Sequence, residues 1–504
     1  MSPKKMIVFA LLLLLVIGFI KGYMLWQDRF GKPQDFANEE DLFKYGSIGS
    51  DNLTRGLPYW IWKVLPELFP DLLPQTGKGG YEAFGLIMEP GRNRPIGFSK
   101  RTIWNYIDFV GPNCAFCHVS TIRQTADGPP KTVLGMPANT VDIKKFFLFL
   151  FKTAKDPRFT VNNVMKQVEK QVEKEGNPKM GFFDRLAYRV LIYVYKREVL
   201  CLAREFDFLK QMPEFGPGRV ETWTPYKRTL LVPALPVSVP GITDFPSLWN
   251  QDVRERLKLR LHWDGNNKVL LERNLIAASG VVGRDLEALD LFSLTRITNY
   301  IEQLRPPKYE DMIPKDREDL RINQELVGKG RDIYQRYCFD CHDPGGTRFD
   351  KNEVVPVQEI GTDRNRVNAF TPELARELNK VGPYFAMGDP RSKWKLRHFE
   401  KTNGYVNTLL DGIWLRAPYL HNGSVPTLRD LLEKPDQRPK KFYRGNDVYD
   451  WEKVGFKSDV LEQNGRKFFP YNPELAGNDN GGHWYGTELP EDEKKALIEY
   501  LKTL

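Results

Sequence analysis

Two short stretches, Cys114-Ala115-Phe116-Cys117-His118 and Cys338-Phe339-Asp340-Cys341-His342, constrain this chain more than anything else in it. Each sets two thiols and an imidazole in the order C-x-x-C-H, the spacing of a covalent c-type haem site. Each thiol can add to one haem vinyl group, and the adjacent imidazole then falls under the iron as its proximal ligand. The two copies use four of the chain's five cysteines and two of its six histidines, too many for coincidence. The expectation is two covalently bound haem c groups, attached through Cys114, Cys117, Cys338 and Cys341, with His118 and His342 on the irons. A zinc site needs four ligands at suitable spacing, and these two pairs stand too far apart in the chain for a local zinc module. The fifth cysteine, in Val199-Leu200-Cys201-Leu202-Ala203, reads as a buried structural thiol.

At 504 residues the chain has length for about two to four domains. Its 41% hydrophobic and 28% charged composition excludes a disordered or collagen-like protein. The net charge of +9 is spread out rather than gathered into a basic block, so nucleic acid is not an expected partner. Met6 to Ile20 is an uninterrupted apolar run behind Lys4 and Lys5. As a helix it spans roughly 22 Å, and continuing to Trp26 gives about 31 Å against a bilayer core of about 30 Å. A cleaved signal peptide looks the same at its start, but no small-x-small cleavage site follows the run. The expectation is an inner-membrane anchor over residues 1–26, with the body periplasmic because c-type attachment belongs to the non-cytoplasmic side; if the segment is cleaved, the body is periplasmic or secreted.

Along the chain, Asp142 to Phe151 reads as an amphipathic helix, Phe159 to Phe208 as mainly helical, and Leu275 to Leu304 as helix again. Pro213 to Pro246 reads as loops and extended pieces. Ile297, Tyr300, Ile301 and Leu304 form one helical face before the stop at Pro306-Pro307, and Leu497, Tyr500, Leu501 and Leu504 repeat that ending at the C-terminus. The expected fold is mainly α: two cytochrome c-like haem domains with long loop insertions, preceded by one N-terminal transmembrane helix. The expected divisions are an extension over 27–98, a first haem domain over 99–306 and a second over 307–504, each with a helix before the motif packed on a closing helix.

From about Ser99 onward the chain resembles the large dihaem c-type cytochromes related to bacterial cytochrome c peroxidase, and most of all the branch that includes the haem rubber oxygenases. The stretches that carry the likeness are Gly216–Trp223 (GPGRVETW), Asp244–Gln251 (DFPSLWNQ), Leu261–Leu275 (LHWDGNNKVLLERNL), Glu359–Val367 (EIGTDRNRV), Gly404–Leu432 and Gly482–Leu504. The resemblance implies a periplasmic dihaem protein with one haem for electron transfer and one that meets a small molecule. Peroxidase relatives place a Met shortly after the histidine of the YLHNG-type segment, but Leu431-Leu432-Glu433-Lys434-Pro435 has none.

The distal ligands decide function, since a six-coordinate iron passes electrons and an open position can bind peroxide or oxygen. For the second haem, His483 in Gly481-Gly482-His483-Trp484 is the favoured distal ligand and His421 the alternative; His421 can instead fix the Asn422-Gly423 turn. For the first haem, Met136 is an alternative ligand that also fits a core role. His262 beside Trp263 can line the distal pocket as a ligand or as an acid–base group. Trp249 or Trp263 can relay electrons or simply pack. Arg273, Arg364, Arg366 and Arg416 are candidates to pair with haem propionates, and His398 lies in an exposed basic stretch. Two functions remain open at this point: a peroxidase or oxygenase served by a small-molecule oxidant, and a pure electron carrier with both haems six-coordinate that serves a redox partner protein.

Overall fold

The computed structural model describes residues 35–103, 107–231, 234–237, 239–283, 286–382 and 394–504, together with Leu15, Gly18 and Phe19. The expected anchor over residues 1–26 lies outside the described residues apart from those three. Among the described residues no helix is long and apolar enough to cross a membrane. The fold is mixed, 42% helical and 12% strand, which corrects the expectation of a mainly α protein led by a transmembrane helix. The strands were hard to read because the longest has six residues and most have two to four. A period-2 signal over so few positions is weak.

Helix α1 (Glu39–Tyr45) is capped by Asn38, whose side chain accepts from the Asp41 N–H, and carries three acidic residues in its first turn. Strand β1 (Leu57–Pro58) runs into α2 (Tyr59–Leu68). Strands β2 (Phe98–Ile103) and β3 (Ile107–Pro112) pair antiparallel with Ser99 opposite Gly111, and β1 adds to the free edge of β3. The first haem motif follows as a single helical turn, Ala115–His118, and feeds β4 (Val119–Ile122), which pairs with β5 (Lys131–Leu134).

Helices α3 (Ile143–Lys155, capped by Asp142), α4 (Val161–Lys174) and α5 (Phe182–Glu205) close one side over an aromatic cluster that includes Trp62, Tyr81, Phe98 and Phe146. Strands β6 (Arg219–Glu221) and β7 (Ile242–Asp244) pair within the Pro/Gly-rich stretch. Leu275 to Leu304 is two helices rather than one, α6 (Leu270–Val282) and α7 (Leu291–Glu302). The break falls at Gly283, whose φ of +64° ends α6.

In the second half α8 (Gln324–Tyr337) leads straight into the one-turn motif helix Phe339–His342. A strand pair follows, β8 (Val354–Pro356) with β9 (Gly404–Val406), and α9 (Glu491–Leu501) closes the chain against α8. Gly330 permits that closeness, because a Cβ there would stand 2.0 Å from the Ala496 carbonyl oxygen. The first half has an equivalent pair, but a β-hairpin stands where a helix was expected before the motif. Its closing helix α7 packs on α1, with Phe43 and Tyr300 ring centroids 5.7 Å apart and an Arg296–Glu39 ion pair of 2.6 Å. Asn113 donates to the Gly46 carbonyl at 2.9 Å and so ties the first motif back to α1.

The apolar cores cross residue 306 freely. Met136 and Trp249 share a cluster with Tyr309, Trp414 and Leu497, while Leu42 and Ile297 share one with Phe370 and Phe399. Polar ties do the same, as in Thr121 Oγ1 donating to Asp447 Oδ2 at 2.7 Å and Asn139 Nδ2 to the Asn446 carbonyl at 3.1 Å.

Candidate haem sites

Both motif histidines are oriented from behind by a backbone carbonyl. His118 Nδ1 donates to the Pro246 carbonyl at 2.9 Å and His342 Nδ1 to the Thr408 carbonyl at 2.7 Å. With Nδ1 used in this way, Nε2 is left as the coordinating atom, the arrangement metal-bound histidines generally show. Burial and the Arg273 guanidinium push the His118 imidazole down to about 3, and burial lowers that of His342. Both rings are therefore neutral, the form that binds a metal. Burial pushes the Cys114 and Cys338 thiols up to about 11 and 12 and raises those of Cys117 and Cys341, which excludes a thiolate nucleophile. Among the described residues no group of three or more His, Cys, Asp or Glu side chains is placed to hold a metal ion by itself.

His483 faces His342. The two ring centroids are 6.5 Å apart. Two metal–nitrogen bonds of about 2 Å each fill most of that separation, and the ring radii fill the rest. His483 has a positive φ of +50° behind Gly482 at +73°. Its N–H donates to the Ile360 carbonyl at 2.8 Å, and the buried Arg438 holds the carbonyls of Asn480 and His483 at 2.6 and 3.1 Å. Burial, with His342 and Arg438 nearby, holds this imidazole down at about 3. Its Nδ1 is buried without a hydrogen-bond partner. These residues fit a haem held between His342 and His483.

His421 is used differently. Its ring stacks on Tyr405 at 4.0 Å, and its Nε2 is 2.9 Å from the Tyr405 hydroxyl, which in turn is 2.5 Å from the Asp363 carbonyl. The hydroxyl has one proton to give, so it donates to the carbonyl and accepts from the imidazole. The His421 carbonyl receives the Asp244 N–H at 3.0 Å. His421 thus ties the YLHNG-type turn to β7.

At the first motif, the ring in contact with His118 is Phe245, 6.3 Å away and edge-on, on the same segment as the Pro246 carbonyl that holds Nδ1. Met136 is fully buried in the core cluster with Trp249. Trp249, also fully buried, donates its indole N–H to the Leu134 carbonyl at 2.9 Å and packs beside Gly135 and Gly412. Trp249 thus makes no ring contact with His118, and Met136 lies in the same core cluster as Trp249. His262 sits with a φ of +64° between Trp223 and Phe399, with centroids 5.9 and 6.0 Å away. Its Nδ1 is buried and unpartnered, and burial with Arg366 and Arg273 holds it well below the ordinary histidine range. Arg273 is the shared element, since it acts electrostatically on Cys114, His118 and His262. It donates to Gln251 at 2.9 Å, and its Nε has no partner.

The other arginines are committed. Arg366 is paired with Asp264 at 3.0 Å and Arg416 with Asp411 at 2.7 Å, while Arg364 is exposed at the N-cap of a one-turn helix. His398 pairs with Glu272 at 2.6 Å, away from both motifs. Trp263 donates its indole N–H to the Asp244 carbonyl at 3.1 Å.

A cavity of about 300 Å³ lies at the second motif and reaches toward the first half. Its lining includes Cys341, His342 and His483 and also Pro246, His262 and Arg273. The Pro246 and Thr408 carbonyls carried no signal in the sequence, because a backbone acceptor is placed by the fold alone. Arg438 gave none either, having no motif around it, and Tyr405 lay within the Gly404–Leu432 stretch without being singled out.

With this geometry in place, the comparisons are informative. Residues 404–444 match the family described as RoxA-like, cytochrome c-like. The match supports a cytochrome c-like domain, and with it covalently bound haem c. The matched segment holds Thr408, which orients His342, and both partners of the Tyr405–His421 stack. Two proteins of Sinorhizobium fredii (strain NBRC 101917 / NGR234) are also similar. Uncharacterized protein y4iM is 31% identical over 300 residues, covering 52% of this chain and 64% of the relative. Uncharacterized protein y4iJ is 31% identical over 258 residues, covering 40% of this chain and 41% of the relative. The chain thus spans less than two thirds of either relative.

Proposed function

We propose that this cytochrome is an exported dihaem redox protein in which the two sites do different work. The haem held by Cys338, Cys341, His342 and His483 passes electrons, and the haem held by Cys114, Cys117 and His118 meets a small oxidant such as peroxide or oxygen. The observation that carries this reading is the asymmetry of the two proximal rings. His342 has a second imidazole 6.5 Å from its own ring, whereas the ring in contact with His118 is Phe245, and among the described residues no histidine ring makes such a contact with His118.

A haem held by Cys114, Cys117 and His118 would supply the redox chemistry there. Around it, Trp223 and Phe399 hold His262 in apolar surroundings and keep water out. The neutral His262 ring, with Nδ1 unpartnered, can take up one proton from a bound oxidant and return it to the departing oxygen. Arg273 supplies a half-buried positive charge to hold a propionate.

Electron paramagnetic resonance of the oxidised protein tests this directly. One low-spin and one high-spin ferric signal are expected, with two haems per chain by pyridine haemochrome assay. The substitution His483→Ala is expected to convert the low-spin signal to high-spin. Two low-spin signals with no spectral change on adding hydrogen peroxide would reduce the protein to an electron carrier.

A further inference from the structure

Helix α5 (Phe182–Glu205) is apolar on two faces, and only one of them is covered. Tyr188, Ile192, Tyr195, Val199 and Ala203 point into the core. Phe182, Phe183, Leu186, Val190, Tyr193 and Val194 point outward, with Phe182 74% exposed, Phe183 77% and Tyr193 67%. The outward set falls at i, i+1, i+4, i+8, i+11 and i+12, a single continuous stripe. Isolated exposed apolar side chains are ordinary, but a contiguous ridge headed by two phenylalanines marks a contact surface.

The charges around the stripe say what it contacts. Between Lys179 and Glu205 six residues are basic, Lys179, Arg185, Arg189, Lys196, Arg197 and Arg204, and three are acidic, Asp184, Glu198 and Glu205. Arg197 lies within the stripe, and Arg185 and Arg189 lie along its border, all three exposed. A ridge of Phe, Leu and Tyr bordered by arginines is the pattern of a helix that lies in a membrane interface. There its apolar side chains sit below the headgroups and its cations sit on the phosphates. A second copy of the chain fits less well. Two antiparallel α5 helices centred on Tyr193 would set Arg189 against Arg197 of the other copy, a like-charge contact.

We propose that the outward face of α5 docks on the surface of a bilayer rich in anionic phospholipid, lying on the membrane rather than crossing it. This reading stands on α5 alone and is independent of the assignment of the two haems.

The test uses the full-length haem-loaded protein with Cys201→Ser and a single introduced thiol, Leu186→Cys, labelled with an environment-sensitive fluorophore. Vesicles of phosphatidylcholine with phosphatidylglycerol are expected to shift its emission to the blue, and lipid-borne quenchers are expected to reach it. High salt or phosphatidylcholine alone should weaken the response. Adding Phe182→Ser and Phe183→Ser should raise the vesicle concentration needed for half response by at least about tenfold, with the haem absorption spectrum unchanged. Three results would overturn the proposal. One is a probe indifferent to vesicles. Another is a probe already blue-shifted before they are added, which would mean the chain covers the face itself. The third is a shift that follows protein concentration without lipid, which would mean a second copy covers it.

Discussion

His421 is buried and His483 half-buried, and both line the same cavity, yet their surroundings give them different uses. The His421 ring nitrogen is spent on Tyr405 at 2.9 Å, while the His483 ring stands 6.5 Å from His342. The same contrast separates the arginines. Arg366 and Arg416 have carboxylate partners, but Arg273 is half-buried with Gln251 as its hydrogen-bond partner. Burial and the nearby Arg254 push that guanidinium down to about 10, still cationic at neutral pH. A partly desolvated cation without a carboxylate is costly, so of the four candidate arginines Arg273 is the one most in need of a propionate. Removing its charge favours the oxidised, more positive state of a nearby centre. Arg273→Met is therefore expected to lower the midpoint potential of the first haem by roughly 60 mV, a tenfold change for one electron, and to leave the second unchanged. Redox titration followed by absorbance checks it, and equal shifts at both haems would remove Arg273 from the first site.

At the scale of elements, the packing of α8 on α9 sets the frame for the second motif, and it depends on one missing side chain. A Cβ at Gly330 would meet the Ala496 carbonyl oxygen at 2.0 Å, while one at Gly328, two residues earlier in the same helix, would meet nothing within 4 Å. Helix propensity alone favours Ala over Gly by about 1 kcal/mol at both positions. Gly328→Ala is expected to stabilise by up to that amount. Gly330→Ala is expected to destabilise by about 1–3 kcal/mol, because the collision is with backbone and cannot be relieved by a rotamer change. Denaturant unfolding of the two variants side by side decides this, and equal effects would mean the helices are not in close contact. The helices themselves were legible because α3, α8 and α9 repeat their apolar positions over three or more turns. The β2–β3 hairpin before the first motif was not, because six-residue strands offer too few positions for a clear period-2 signal.

Across the whole molecule, the two halves are joined as much by charge as by apolar packing. Asp447 accepts from Thr121 at 2.7 Å and from Arg123 at 3.2 Å, both on the first half, and from Arg466 at 2.5 Å on its own. Burial alone would raise its carboxyl, but Arg466, Thr121 and Arg123 outweigh burial and hold it below the usual carboxylate range. A depressed carboxylate contributes stability that is present in full above its unfolded pKa, near 4, and is lost as pH falls through the folded value. Asp447→Asn is expected to cost on the order of 3 kcal/mol at neutral pH. The gap between variant and parent should begin to narrow below about pH 4 and close as pH falls through the folded value. Thermal unfolding across pH 3 to 7 measures both, and a gap that persisted at low pH would assign the loss to packing instead of charge.

The sequence by itself determined the chemistry that depends on local order. A C-x-x-C-H motif acts within one helical turn, so five consecutive residues suffice to identify it, and the helices around it announce themselves by their period. What only the tertiary structure decided is everything that needs two distant stretches to meet. Which carbonyl orients each proximal histidine, that His483 faces His342 while His421 is held by Tyr405, that Met136 and Trp249 belong to the core, and that α1 supplies the first half's packing partner for α7 all follow from contacts between residues tens to hundreds of positions apart. No spacing rule encodes such contacts, because they are set by how the apolar faces close over one another.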